Sequence, residues 1–236
     1  MVHDDLFERR RTVEERVADA CARSGRDPRG IRIVAVTKGH PAETVVAALE
    51  AGFREIGENR VGEATGKFLQ VSTSLEEHGA VRHMVGHLQR NKVRDALETF
   101  DWIQSVDSMR LARALSRRLE GGDASFPVLV EVNAGGEEQK HGFTPEAAVE
   151  RAHEIAELPG LALRGIMTMA PLTDDEAVLR ATFRRAREIH ESLRRVGGTA
   201  PDTLSMGMSG DYPVAIEEGA TMIRLGTVLF GPRTGG

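Results

Sequence analysis

Ile31-Arg32-Ile33-Val34-Ala35-Val36-Thr37-Lys38-Gly39-His40 is a short, β-branched run that ends on a single lysine. Its brevity and branching suit a strand buried on both faces, as in a parallel sheet, rather than a helix. Pro41 follows, and residues 42–51 then carry a helical pattern with Gly52 as the stop. Lys38 is therefore predicted where a parallel strand gives way to the loop before its helix. In α/β proteins that edge collects ligands and chemistry. Desolvation there disfavours the ammonium form, and a neutral amine can attack an aldehyde to form a Schiff base. The plainer account is a lysine that snorkels from the strand end into water.

The same alternation runs outward in both directions. A charged amphipathic stretch over residues 6–24 predicts an N-terminal helix. Further strands are predicted over residues 53–58, 81–87, 100–106, 127–133, 161–169, 203–206 and 221–225. Helices are predicted between them over 60–71, 89–97, 110–119, 145–158, 174–196 and 211–218, with Asp107 or Ser108 able to cap the third of these. Eight strands separated by helices predict a (β/α)8 TIM-type barrel, closed by right-handed crossovers, with one extra helix in front. The 236 residues suit a single domain of this kind over 1–236, with no Pro/Ser-rich linker. Gly121-Gly122-Asp123 and Gly197-Gly198 read as turns. An open doubly wound sheet is the alternative, but Gly207-Met208-Ser209-Gly210 lacks the dinucleotide glycine spacing.

Composition narrows the function classes. Net charge is -5 and only 4% of residues are aromatic, which argues against nucleic acid as a partner. Arg184, Arg185, Arg187, Arg194 and Arg195 are interleaved with Glu188 and Glu191, the pattern of a solvated helix face. No apolar run reaches the ~18 residues of a membrane span, and the charged start is unlike a secretory signal, so the cytoplasm is the expected location. The one cysteine, Cys21, is expected to face the core.

Polar residues gather at the predicted strand ends: Glu58 and Asn59, His87 and Gln89, Ser105 and Asp107, Asn133, Thr168, Ser209 and Arg224. A barrel brings these to one mouth. Capping and turn roles also explain Asn59, Asp107 and Asn133. His87 has no second histidine or cysteine at ligand spacing, so a zinc reading is weak. Strand seven leads through Gly207-Met208-Ser209-Gly210 into a helix, and strand eight ends in Gly226 and Thr227. Backbone amides at such helix starts favour an anion, and loops after strands seven and eight commonly hold phosphate in this fold. Ser209, Gly226 and Thr227 are accordingly predicted phosphate ligands. Arg224 lies two residues before Gly226 on the same side of its strand, and a buried arginine needs an acceptor, from a protein carboxylate or a cofactor. An amine, a phosphate cradle and an arginine in one mouth suggest pyridoxal phosphate.

Several segments carry a family resemblance: Val34-Ala-Val-Thr-Lys38, Gly57-Glu-Asn59, His83-Met-Val-Gly-His-Leu-Gln-Arg-Asn-Lys92, Ser105-Val-Asp-Ser108 and Val130-Glu-Val-Asn133. Gly165-Ile-Met-Thr-Met-Ala-Pro171, Leu204-Ser-Met-Gly-Met-Ser209 and Ile223-Arg-Leu-Gly-Thr227 complete the set. In this order they resemble the pyridoxal phosphate homeostasis proteins, whose barrel is similar to the N-terminal domain of alanine racemases. The resemblance implies that Lys38 carries pyridoxal 5'-phosphate covalently as a Schiff base and that Arg224 faces the pyridine nitrogen. It implies that Ser209, Gly226 and Thr227 hold the phosphate, while Asn59, His87 and Met167 line the pocket. It also implies a part in intracellular vitamin B6 balance, with enzymes that lack their cofactor as possible partners. Met84, Val85, Gly62 and His141 depart from the family pattern.

Catalysis is not expected. A two-base racemase needs a proton-transfer group opposite the lysine, which alanine racemases draw from an added C-terminal domain. This sequence stops shortly after strand eight, and its one tyrosine, Tyr212, follows the phosphate loop, where a structural role suits it. An arginine at the pyridine nitrogen disfavours ring protonation and weakens the electron sink. A racemase or lyase is the alternative function. A cofactor-free aldolase would need an acid or base near Lys38, for which Glu58 is the candidate. No apolar stripe stands out beyond the barrel's own needs, so a monomer is expected.

Overall fold

The computed structural model describes residues 2–122, 125–137, 139, 141–196 and 201–232; Asp123, Lys140, the Gly197-Gly198 turn and the side chain of Arg195 lie outside the described set. Eight parallel strands close into a barrel in chain order. They are β1 Arg32–Val36, β2 Glu55–Glu58, β3 Val81–Met84, β4 Trp102–Val106, β5 Phe126–Glu131, β6 Leu161–Met167, β7 Thr203–Ser205 and β8 Met222–Leu225. The helices are α1 Val2–Ser24, α2 Ala42–Glu50, α3 Val61–Gln70, α4 Ser72–Glu77, α5 Val93–Thr99, α6 Met109–Leu119, α7 Pro145–Ala156, α8 Glu176–Val196, α9 Tyr212–Glu217 and α10 Thr227–Phe230. The predicted alternation is the observed one, with α4 and α10 added. Both are too short to leave a periodic signal. The third strand is shorter than the 81–87 expected. A Cβ at Gly86 would come within 2.8 Å of the Asn59 Cα, so the chain there crosses its neighbour too closely for an ordinary ladder.

Strand alternation divides the buried residues into two sets. Ala35, Ile56, Met84, Ile103, Val130, Ile166, Leu204 and Ile223 face outward and join helix residues such as Val45, Phe68, Leu115, Ile155 and Phe183 in one ring-shaped core. Val34, Val36, Val85 and Met222 face inward and form a separate small cluster. Much of the rest of the barrel interior is polar. Arg224 donates to the Ser205 hydroxyl (2.7 Å), which donates to Gln104 Oε1 (2.7 Å). Gln104 Nε2 lies 3.0 Å from His83 Nδ1, and His83 Nε2 meets the Glu55 carboxylate. Burying these groups is tolerable because each finds a partner within the column.

The first helix packs on α9 and α10; Tyr212 of α9 is buried and its phenol lies beside Arg16. Cys21 faces this core, as expected. On α8, Arg184 and Arg187 pair with Glu218 beyond α9, at 3.3 and 3.6 Å. That part of the basic run therefore serves helix packing. No described helix is long and apolar enough to cross a membrane.

Candidate functional site

Lys38 stands two residues beyond β1, half-buried, and its neighbours on both sides are fixed from outside the barrel. Lys67 of α3 is buried and donates to the Thr37 carbonyl (2.9 Å), Glu58 Oε1 (2.5 Å) and Glu63 Oε1 (3.1 Å). Thr37 Oγ1 donates to the same Glu58 oxygen (2.7 Å), and Glu63 accepts the Gly39 N–H (2.6 Å). The peptide groups flanking Lys38 are thus tied into one buried charge cluster. Glu58 is fully buried, and burial raises its pKa even against the Lys67 ammonium; its second oxygen has no partner among the described residues. Glu58 shares the outward parity of Ile56, so it braces the strand from behind instead of facing the interior. That placement does not suit the acid–base role an aldolase would ask of it.

The opposite edge is built from backbone. β8 pairs with β1, with Ala35 opposite Leu225, so Gly226 and Lys38 leave adjacent strands. His40 packs against Phe230 of α10 at 5.7 Å between ring centres, which joins the lysine loop to this edge. Ser209 Oγ accepts from the N–H groups of Gly226 (3.4 Å) and Val228 (3.2 Å). Thr227 opens α10 and is exposed. A Cβ at Gly226 would stand 3.3 Å from the Val36 carbonyl, so glycine lets the two strand ends approach. The three predicted phosphate ligands are therefore neighbours, with amides turned toward one hydroxyl oxygen. A phosphate oxygen could occupy a similar place.

Arg224 lies below this edge, inside the barrel. Its guanidinium donates to Ser205 Oγ and to the Thr168 carbonyl (2.9 Å). Among the described residues no carboxylate forms an ion pair with it. Burial lowers its pKa to about 10, although Asp211 and Glu131 oppose this through space. The carboxylate partner weighed from the sequence is absent there, which leaves this cation suited to an acceptor carried by a ligand. Met167 and Glu131 are paired positions on the inner wall, both buried. The Glu131 carboxyl is pushed up to about 7 by burial and by the Asp107 charge, against the pull of Arg224. Asn59 is half-buried beside Gly86. His87 is farther out and 43% exposed, its Nδ1 2.9 Å from Asp107 Oδ2. The residues present fit pyridoxal phosphate: an amine and amide donors on adjacent strand ends, and a buried donor beneath them.

The sequence pattern of the alanine racemase N-terminal domain matches residues 13–234. The pyridoxal phosphate homeostasis protein of Pseudomonas aeruginosa is 40% identical over 221 residues, 94% of this chain and 93% of that one. The chain belongs to the pyridoxal phosphate homeostasis protein family. A solved relative, PipY of Synechococcus elongatus with pyridoxal phosphate bound, is 37% identical, the match covering 93% of this chain and all of that one, and superposes with a TM-score of 0.76. Alanine racemase of Corynebacterium glutamicum shares the barrel alone, at 12% identity and a TM-score of 0.73, and this chain spans 62% of its length.

Of the positions expected to depart from the family pattern, two serve packing. Met84 belongs to the outer core and Val85 to the inner cluster. A Cβ at Gly62 would meet nothing within 4 Å, so a longer residue there would point into open space. Sequence reasoning missed Lys67, Gln104 and His83. Lys67 reads as one more charge on an amphipathic helix, and only the tertiary fold reveals its burial. Gln104 and His83 do sit at the inward parity of their strands, a signal that was there to be used.

Proposed function

We propose that this chain binds pyridoxal 5'-phosphate through a Schiff base on Lys38 and stores or hands on the cofactor, without catalysing a reaction of its own. The observation that carries this reading is the convergence of Lys38 with the Ser209, Gly226 and Thr227 edge above a buried Arg224 that forms no ion pair with a carboxylate among the described residues. Lys38 would hold the cofactor through its aldehyde, amine and aldehyde condensing to a carbon–nitrogen double bond with loss of water, a link that hydrolysis or exchange with another amine would reverse. The amides of the β8–α10 edge would bind the phosphate, and Arg224 would donate to the pyridine nitrogen. A donor that stays charged keeps that nitrogen unprotonated, which supports holding over carbanion chemistry. Asn59, His87 and Met167 would form the side wall. Tyr212, buried under α1, is poorly placed as a second base.

In this reading one barrel domain acts as a monomer in the cytoplasm, and its partners are the cofactor and enzymes awaiting it. The purified protein should be yellow, and borohydride should fix the cofactor to it irreversibly. Lys38→Ala should lose the reducible link while keeping the fold. A colourless wild type, or a link that survives Lys38→Ala, would overturn the assignment. Amino-acid screens should show no turnover above that of free cofactor, and stereospecific racemisation would restore the enzyme reading.

A further inference from the structure

We propose that His87, Asp107 and His141 form a binding site for one divalent transition ion of the zinc, nickel or copper class, beside the mouth of the barrel. The three residues come from separate places: His87 follows β3, Asp107 follows β4, and His141 belongs to the segment between β5 and α7. Each offers one donor atom, and the three atoms lie within 4.8 Å of one another. His87 Nδ1 and His141 Nδ1 stand 2.9 and 3.8 Å from Asp107 Oδ2. An ion bound at about 2.0–2.2 Å to each donor holds neighbouring donors roughly 3–4 Å apart, close to the two distances from Asp107.

The chemistry of the donors selects the ion. Two neutral imidazoles and a carboxylate suit borderline metals, whereas calcium and magnesium want an all-oxygen shell. Asp107 supplies a fixed, nearly buried anchor at 9% exposure, and the imidazoles are 43% and 61% exposed, leaving an entry path and room for water ligands. The same residues border an open cavity of about 560 Å³. Arg90 and Arg110 border it too and weaken its hold on a cation, which sets the expectation at micromolar affinity rather than that of a structural zinc. The two rings are stacked, 4.1 Å apart and 16° from parallel, so their lone pairs do not converge on one point as they stand. One ring must turn about its Cβ–Cγ bond, and the more exposed His141 is free to do so. Local spacing shows no partner for His87, because the second histidine arrives from a distant loop.

The test reads metal uptake rather than cofactor, and its deciding variant is His141→Ala, because His87 is also placed in the side wall of the cofactor pocket. Zinc is titrated into the purified full chain in competition with a chromophoric chelator, for wild type, His141→Ala and His87→Ala. Wild type should bind one ion, and each substitution should weaken binding by at least about tenfold. Copper(II) bound to wild type should show two nitrogen donors by paramagnetic resonance, and to His141→Ala one. His141→Ala removes an exposed ring, so an unchanged melting curve shows that the loss is local. No uptake by wild type, or equal uptake by wild type and His141→Ala, would overturn the site.

Discussion

The two edges of the barrel mouth are built from different materials. At the β1–β2 edge, position is set by side chains: Lys67 and Glu63 grip the peptide groups on both sides of Lys38, and Glu58 holds Lys67 and the Thr37 hydroxyl. At the β7–β8 edge it is set by main chain: Gly226, the amides of α10 and one serine hydroxyl. The contrast follows the chemistry asked of each edge. A reacting amine has to be aimed, and the charges at this edge do so by fixing the backbone on both sides of Lys38 from behind the strand. A phosphate wants several donors at once, and a helix start supplies them at no cost in side-chain entropy. One edge should then be fragile toward loss of a charge, and the other tolerant of loss of a side chain.

The largest expected effect breaks the lysine edge. Lys67→Met leaves the fully buried Glu58 without its cation, a loss of about 3–5 kcal/mol in stability by denaturant unfolding. Adding Glu58→Gln should restore part of it, because the stranded charge is then gone. A Lys67→Met protein as stable as wild type would mean that the cluster is solvated and does not hold Lys38.

A second test asks whether buried charge elsewhere on the inner wall behaves like the lysine edge. The folded Glu131 carboxyl keeps its proton up to about pH 7, while the unfolded one releases it near 4.5. The folded state therefore binds more protons across that window, and stability falls as pH rises through it, by about 3 kcal/mol in all. Glu131→Gln should flatten this part of the profile and leave the protein more stable than wild type above pH 7. Equal slopes in the two proteins would show that Glu131 titrates normally.

The two edges also differ in how far the sequence discloses them. Glycines and a serine next to a strand end carry a local signature, so Ser209, Gly226 and Thr227 could be read as neighbours, and so could the strand-helix alternation that places them. The grip on Lys38 has no such signature. Whether Lys67 is a surface charge or a buried one depends on what α3 packs against, which is a tertiary fact. The interior column from Arg224 through Ser205 and Gln104 to His83 and Glu55 lies between these cases. Strand parity shows that these residues face inward, but not which one meets which. The shear of the barrel decides that.

The smallest expected effect is at the phosphate edge, and it is the sharpest test of the contrast. Ser209 Oγ accepts two amide hydrogens at the half-exposed rim. In Ser209→Ala those amides turn to water, so stability should stay within about 0.5 kcal/mol of wild type. A bound phosphate would lose one hydroxyl donor and keep the amides of Gly226, Thr227 and Val228. Retention of pyridoxal phosphate, followed by equilibrium dialysis, should weaken by about tenfold, the size of one hydrogen bond at ~1.4 kcal/mol. The borohydride-reducible link to Lys38 should still form at saturating cofactor. If Ser209→Ala instead abolished binding, the phosphate edge would rest on a single side chain as heavily as the lysine edge rests on Lys67. The division between a side-chain edge and a main-chain edge would then fall.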